Sequence, residues 1–177
     1  NGLKIIHGDI LLQEIEDLPI NNPVRIIGNI PYNITSPIIF WLIEQLDYWD
    51  DAFIMMQKEV AQRLTAQVGT KEYSRISVVV GAYLNMEMCF KISPEVFIPR
   101  PKVESAIIRF TKKDSPVVAD NKYVKFNKIV KAAFSKRRKM LRNSLNDFDI
   151  PISIQEEIDF TRRPETLSIE EFAKLLH

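Results

Sequence analysis

The segment GNIPYNITSP, residues Gly28–Pro37, holds the side chains best suited to chemistry. The amide oxygen of Asn29 is a hydrogen-bond acceptor. The carbonyl of Ile30 is a second one, because a residue before proline is held extended and can aim its carbonyl outward. Two acceptors can take both N–H groups of an exocyclic amine, such as that of adenine, and leave its lone pair facing a sulfonium methyl group. Tyr32 adds a ring face on which an unpaired or flipped base can stack.

This reaction needs no strong base, because the attacking amine and the departing thioether are both neutral. Orientation and electrostatics would supply the catalysis. The same string also suits a plain loop, in which proline sets the turn and asparagine bonds the backbone. Its place after the predicted strand Val24–Gly28 favours the chemical interpretation, since ligands bind at the carboxyl edge of open α/β sheets.

The elements around this loop alternate between strands and helices, which predicts parallel α/β units. Predicted strands are Leu3–His7, Val24–Gly28, Ala52–Gln57, Asn85–Ile92 and Ser105–Thr111, and predicted helices are Ser36–Leu46, one from Lys58 and one near Ser74–Leu84. Ser36 and Pro37 suit the N-cap and first turn of their helix. The Pro-rich stretch Phe97–Val103 joins the last two strands, which we expect to pair antiparallel at the end of the sheet.

A small α-helical domain is predicted after the polar linker Lys112–Asn121. Its helices are expected at Lys122–Leu145, Ser153–Phe160 and Ser168–Leu176. Ser153 with Glu156, and Ser168 with Glu171, have the spacing of capping boxes. We therefore expect one domain over residues 1–113 and a helical one over 114–177.

The amino-acid composition limits the kinds of protein to which this chain can belong. The chain is 46% hydrophobic and 27% charged, as in ordinary globular proteins. Cys89 is its single cysteine, which excludes an internal disulfide and favours a reducing, cytoplasmic location. The chain has two histidines, His7 and His177, and no cluster of Cys or His, so we expect no zinc or haem site. His7 lies among apolar residues and fits a strand position better than a catalytic one. No apolar run reaches membrane-spanning length.

Charge is unevenly distributed along the chain. Residues 121–146 contain nine Lys or Arg and no Asp or Glu, although the net charge is only +1. Such a run is usually a solvated helix face. Without acidic partners, phosphate binding is the better explanation, through backbone contacts rather than base recognition. The residues expected to contact nucleic-acid phosphates are Lys136, Arg137, Arg138, Lys139 and Arg142.

Four blocks, in this order, resemble the small-subunit rRNA adenine N6-dimethyltransferases: GNIPYNITSPIIFWL, MMQKEVAQRL, FIPRPKVESAIIRF and FSKRRKMLRNSL. Pro37 and the last block are closer to this group than to the sister enzymes that methylate large-subunit rRNA. The resemblance spans nearly the whole chain. It implies a Rossmann-like class I methyltransferase sheet with a small helical domain. It also implies methyl transfer from S-adenosylmethionine to N6 of adjacent adenines in small-subunit rRNA, free or in a precursor particle.

The resemblance also implies roles for individual residues. The motif that holds and stacks the target adenine corresponds to Asn29, Ile30, Pro31 and Tyr32. Phe97 corresponds to an aromatic residue that sandwiches the base opposite Tyr32, although it could also belong to the core. Asp9 and Asn29 correspond to cofactor-binding positions, with Asp9 accepting from the adenine amino group of S-adenosylmethionine. Asp9 could instead simply cap the turn that follows it.

The sequence departs from the family pattern at its start. None of its five glycines forms the G-x-G-x-x-G turn expected after a first strand. Two strands with their helices plus leading residues, about 90 residues at roughly 30 per βαβ unit, are expected to be missing ahead of Leu3–His7, which looks like the third strand. In the family sheet, as the resemblance implies it, the two missing strands lie between the strands at Leu3–His7 and Val24–Gly28. We therefore expect a fragment that is inactive by itself, with residues 1–12 displaced from the sheet and an exposed edge at the second strand.

Two other functions fit the sequence less well. A ribosome-assembly or transcription factor of the same fold would not need the intact loop at Asn29–Tyr32. A DNA adenine methylase uses a similar loop, but the N-I-P-Y spacing and the basic block disfavour it.

Overall fold

The computed structural model describes residues 3–136 and 138–177. Its strands are β1 (Val24–Asn29), β2 (Trp49–Gln57), β3 (Leu84–Ile92) and β4 (Ser105–Lys112). Its helices are α1 (Thr35–Glu44), α2 (Lys58–Leu64), α3 (Arg75–Gly81), α4 (Tyr123–Ser135), α5 (Leu141–Ser144), α6 (Ile152–Glu157) and α7 (Ile169–Lys174). Short 3₁₀ turns connect several of them.

The four strands form one mixed sheet in the order β1-β2-β4-β3. β1 and β2 are parallel and are connected through α1, whereas β4 runs antiparallel to both of its neighbours. The α/β class is therefore confirmed, and so is the antiparallel pair at the sheet end. The carboxyl ends of β1 and β2 lie together, with Asn29 beside Met55.

Helices cover the two faces of the sheet to different extents. Ala52, Ile54 and Met56 of β2 are at most 1% exposed and belong to the hydrophobic core, and α2 packs on this strand. Successive strand residues point to opposite faces, and on the other face Ile27 is 79% exposed. Within the described residues no helix covers that second face.

A charged cluster lies on the open face. Asp51 accepts hydrogen bonds from Arg25 at 2.7 and 2.9 Å and from Arg109 at 3.2 Å. Both guanidinium groups sit over the ring of Phe53, 5.4 and 5.7 Å from its centre. The hydrogen bonds from Arg25 are the main reason why the pKa of Asp51 lies below its ordinary value. The geometry of this cluster is fixed by three adjacent strands.

The predicted strand at Leu3–His7 is wrong. These residues form no regular structure, and Leu3 and Ile5 are 91% and 86% exposed. The described sheet offers them no neighbour, because β1 pairs only with β2. This agrees with the expectation that the segment lies apart from the sheet and that β1 is an edge strand.

Two predicted helix starts are also wrong. α1 begins at Thr35, one residue before the expected cap Ser36, because a 3₁₀ turn at Tyr32–Ile34 leads directly into it. α6 begins at Ile152, and the Pro151 carbonyl accepts from Ile154 and Gln155 in place of the capping box predicted at Ser153 and Glu156.

The capping box at α7 is confirmed. The hydroxyl of Ser168 accepts from the Glu171 N–H at 3.2 Å, and the Glu171 carboxylate accepts from the Ser168 N–H at 2.8 Å. The backbone N–H groups of both residues, which have no acceptor within the helix, are thereby hydrogen-bonded.

The long helix predicted at Lys122–Leu145 is broken in two. α4 ends at Ser135 and α5 begins only at Leu141. The backbone N–H of Leu141 donates to the Arg162 carbonyl at 2.9 Å, and that of Arg142 to the Phe160 carbonyl at 3.1 Å. Tertiary hydrogen bonds therefore replace the helical ones that a continuous helix would have made.

A single hydrophobic core links the sheet to the later helices. α4 and α7 pack on α3, and Phe134 contacts the rings of Tyr73 and Phe172. The domain boundary between residues 113 and 114 stays a prediction, and the hydrophobic core includes buried residues from both sides of it.

Candidate active site

Asn29 ends β1 at the carboxyl edge of the sheet and is exposed. Its side chain makes no hydrogen bond to any other described residue. The preceding residue explains how β1 reaches this position. A Cβ on Gly28 would lie 2.7 Å from Cδ1 of the buried Ile54, so a larger residue here would force that side chain to shift, and glycine lets β1 pack closely on β2. The Asn29 amide is thus held by the backbone alone and remains available to a ligand.

Pro31 turns the chain away from the strand. Its backbone is extended, with φ −58° and ψ 135°, and its carbonyl accepts from the Ile34 N–H at 3.1 Å. The resulting 3₁₀ turn at Tyr32–Ile34 brings Tyr32 back over the sheet. The N-I-P-Y order therefore places an amide and an aromatic ring side by side at one strand end.

The Tyr32 ring is tied to the sheet through its hydroxyl. The oxygen lies 2.6 Å from the Ser105 hydroxyl, in a hydrogen bond that either group could donate. Ser105 begins β4 and is completely buried. The sequence analysis missed Ser105. Its position between Glu104 and Ala106 in a strand carried no signal beyond the family block that contains it.

A cavity of about 230 Å³ lies between the loop after β1 and the Pro-rich segment before β4. That volume is below the roughly 300–1,000 Å³ of pockets for drug-sized ligands and suits one flat group. The lining residues are Asn29, Ile30, Pro31, Tyr32, Met55, Phe97, Pro99 and Pro101. The structure thus brings together all five residues that the resemblance connected with the target base. Met55 and the two prolines were not foreseen.

The end of β2 is fastened to the residue before β4 next to this cavity. The Lys58 N–H donates to the Glu104 carbonyl at 2.9 Å, and the two side chains form an ion pair. The hydrogen bond from Lys58 is the main cause of a lowered pKa at Glu104. The end of β2 and the start of β4 are therefore held at a fixed spacing.

Asp9 does not line this cavity. Its exposed carboxylate accepts from the Leu11 N–H at 3.0 Å and caps the 3₁₀ turn Ile10–Leu12. The capping role is therefore observed, while the cofactor role stays a prediction. This segment is held beside α1, where the Trp41 indole donates to the Gln13 carbonyl at 2.9 Å.

The expected RNA-binding cations lie between α4 and α5, except Arg142, which lies in α5. Lys136, Arg138, Lys139 and Arg142 are all exposed, whereas Arg137 lies outside the described residues. None of the four has an ion-pair partner in the described part of the chain. Over that same part, no cluster of His, Cys, Asp or Glu could hold a metal, and no helix is long and apolar enough to cross a membrane.

Comparison with known proteins gives consistent matches. The family model described as ribosomal RNA adenine dimethylase matches residues 1–175. Two proteins named ribosomal RNA small subunit methyltransferase A are similar over nearly the whole chain. The one from Saccharophagus degradans is 45% identical over 99% of the chain, and the one from Agrobacterium fabrum is 41% identical over 98%. The chain spans 66% and 64% of their respective lengths.

A solved structure also matches. The crystal structure of a dimethyladenosine transferase from Plasmodium falciparum superposes with a TM-score of 0.81 at 26% identity. The superposition covers 99% of this chain and 71% of the other. The described fold is therefore shared almost from end to end.

Proposed function

We propose that this chain, which belongs to the ribosomal RNA adenine dimethylase family, supplies the target-base site of an enzyme that methylates N6 of adjacent adenines in small-subunit rRNA. The observation that carries the proposal is the cavity in which Asn29 and Tyr32 meet Phe97. These side chains come from two segments far apart in the sequence. Together they give this cavity, here called the slot, one amide and two aromatic rings in its lining.

The slot binds an adenine that has left its helix. Base-modifying enzymes extrude their target and stack it between apolar or aromatic groups. Tyr32 and Phe97, both half-buried, are the two stacking partners, and Met55 lies at the end of the slot where β1 meets β2. Stacking on both faces leaves the edge that carries the amino group pointing at Asn29.

Asn29 and Ile30 orient the reacting nitrogen. The amide oxygen of Asn29 accepts one N–H of the adenine amine, and the Ile30 carbonyl accepts the other. The lone pair then points away from both acceptors, and positive charge developing on nitrogen is stabilised by two oxygens fixed in advance. The Asn29 amide has no competing intramolecular hydrogen bond among the described residues.

The residues fit one end of the methyl donor, S-adenosylmethionine. Asp9 uses Oδ1 for its cap, which leaves Oδ2 to accept from an adenine amino group. Asn29 lies at the carboxyl edge where such ligands bind. When bound, the cofactor supplies a methyl group activated by a positively charged sulfur. No glycine-rich turn is present in this sequence, so the amino-acid end of the cofactor is assigned to no residue of this chain.

The substrate is small-subunit rRNA, either free or in a precursor particle. Lys136, Arg138, Lys139 and Arg142 are exposed and have no ion-pair partner among the described residues, and this supports the proposal, since each neutralised phosphate releases counterions. A cytoplasmic location is proposed with it, because the single cysteine, Cys89, is free and exposed, as suits a reducing compartment.

Nucleoside mass spectrometry tests the proposal. The full-length protein is incubated with unmethylated small-subunit precursor particles and methyl-labelled S-adenosylmethionine, and the digested rRNA is analysed. The expected product is N6,N6-dimethyladenosine at adjacent positions, absent with Asn29→Ala. Label in another nucleoside, or none under conditions where the protein binds the particle, would contradict the proposal and favour a non-catalytic assembly factor.

A further inference from the structure

We propose that Ser105 is a positioning residue, which holds the Tyr32 ring at the angle needed to stack the target adenine opposite Phe97. The inference rests on the proposed function and extends it to a residue that does not line the cavity. The hydroxyls of Ser105 and Tyr32 form a 2.6 Å hydrogen bond. This distance is at the short end for bonds between hydroxyl groups.

Ser105 is a rigid anchor. It pairs with Gln57 on β2 and with Ile92 on β3, so it has a neighbouring strand on each side. Its side chain is 0% exposed. The Lys58–Glu104 contacts fasten the residue immediately before it to the end of β2. The Ser105 hydroxyl is therefore held in place by the sheet. Its hydrogen bond fixes the position of the Tyr32 hydroxyl.

Tyr32 is less constrained at its other end. It sits in a three-residue 3₁₀ turn without a side-chain cap, and its neighbours Pro31 and Asn33 are exposed. One face of its ring borders the cavity. Without a fixed hydroxyl, the ring could swing into the cavity or away from it. Stacking strength depends on ring separation and tilt, so such a swing would weaken the slot.

The anchor also joins the two walls. Phe97 is on the segment that leads into β4, eight residues before Ser105, whereas Tyr32 follows β1, 73 residues before Ser105. One hydrogen bond therefore sets the position of the Tyr32 ring relative to the strand that follows the Phe97 segment. Ser105 controls the width of the slot without touching the base.

A purely structural role for Ser105 makes a different prediction. Removing either hydroxyl leaves the other buried or partly buried without a partner, which lowers stability whatever the function. Only the positioning role predicts that turnover falls while RNA binding stays. The cost of small misplacements in an active site reaches about 100-fold, so we expect kcat to fall 10- to 100-fold.

The kinetic test compares Ser105→Ala, Tyr32→Phe and the double variant in the full-length protein on small-subunit precursor particles. All three should show the same fall in kcat, with KM for the particle changed less than about threefold, because they remove the same bond. Ser105→Thr, which keeps the hydroxyl, should restore kcat. If the Ser105 variants fail to fold, Tyr32→Phe still tests the role of this bond, because it removes the other hydroxyl.

Ser77→Ala is the matched control. Ser77 is also a buried serine, and its hydroxyl donates to the Arg63 carbonyl away from the cavity. This variant should lose thermal stability as Ser105→Ala does and retain its kcat. Normal kcat in Ser105→Ala or Tyr32→Phe, additive losses in the double variant, or an equal loss in Ser77→Ala would overturn the positioning role.

A second measurement does not depend on methyl transfer. NMR spectra of tyrosine-labelled protein should show one ordered Tyr32 ring in the wild type and an averaged, shifted ring in Ser105→Ala. An unchanged Tyr32 ring in Ser105→Ala would refute the inference even if the wild type methylates rRNA. If the wild type methylates nothing, the proposed function fails, and the ring spectra still decide whether Ser105 positions Tyr32.

Discussion

The cavity at Asn29 and the basic segment at 136–142 differ in how they are held. The cavity is built from the ends of strands, and its aromatic wall at Tyr32 is fixed by a hydrogen bond to a buried serine. The basic segment lies where a helix breaks, and its described cations are exposed and unpaired. The first arrangement suits a reaction that depends on angle and distance. The second suits attraction to a phosphate chain, which depends mainly on charge.

Asn29→Ala should produce the largest effect and act on the cavity alone. Loss of one orienting acceptor is expected to lower kcat at least 100-fold, or about 3 kcal/mol, as for loss of an oxyanion-hole donor. The exposed Asn29 side chain makes no hydrogen bond to another described residue, so stability should hold. Methyl transfer and the thermal midpoint measure the two quantities. Near-normal turnover would refute the orienting role.

Replacing Lys136, Arg138 and Lys139 together with Gln should act on the basic segment alone. Three lost phosphate contacts are expected to reduce the slope of log K against log salt by roughly 2 to 3 and to weaken RNA binding at low salt. Titrations of small-subunit rRNA at several salt concentrations measure the slope.

Arg63→Gln and Lys174→Gln provide the control for that titration. Both cations already have carboxylate partners, Glu59 and Glu157. The control should leave the slope unchanged. If the slope is also unchanged in the triple variant, the basic segment is an ordinary solvated face.

Phe97→Ala should have a smaller effect on the cavity. Loss of one stacking face costs about 1–3 kcal/mol per base in single-stranded nucleic-acid sites. A roughly tenfold or larger drop in kcat/KM is expected, with Phe97→Tyr close to wild type because the ring remains. Steady-state kinetics on precursor particles distinguish the two variants. Equal losses in both would assign Phe97 to packing.

The Asp51 cluster should show the smallest effect and respond to pH. Arg25 and Arg109 lower the pKa of the Asp51 carboxyl in the folded protein. The contribution of Asp51 to stability is therefore present above about pH 4 and is lost as pH falls through the lowered pKa. Urea unfolding of wild type and Asp51→Asn should therefore differ at pH 7 and converge towards pH 3. A constant difference across this range would contradict the assigned charge interaction.

The sequence predicted best where the signal was local and periodic. Four of five strands, the α/β class and the family were predicted, and the strands, fold and family match confirm them. Five of the eight residues that line the cavity at Asn29 were also named in advance, through family blocks rather than through their chemistry alone.

Failures came from contacts distant in sequence. The helix break before Leu141 depends on carbonyls of Phe160 and Arg162, about 20 residues later. Leu3–His7 has the composition of a strand, but a strand requires a neighbour, and the described sheet provides none. Ser105 acquires its importance only when β4 lies beside the turn that carries Tyr32. No local pattern contains that information.

The most direct test measures both regions in one assay. Methylation of small-subunit precursor particles is followed over a range of particle concentrations with wild type, Asn29→Ala and the Lys136/Arg138/Lys139 triple variant. We predict that Asn29→Ala lowers kcat at least 100-fold with KM nearly unchanged, while the triple variant raises KM with kcat nearly unchanged. Both variants changing the same kinetic constant, or Asn29→Ala dimethylating adenine at the wild-type rate, would contradict the account.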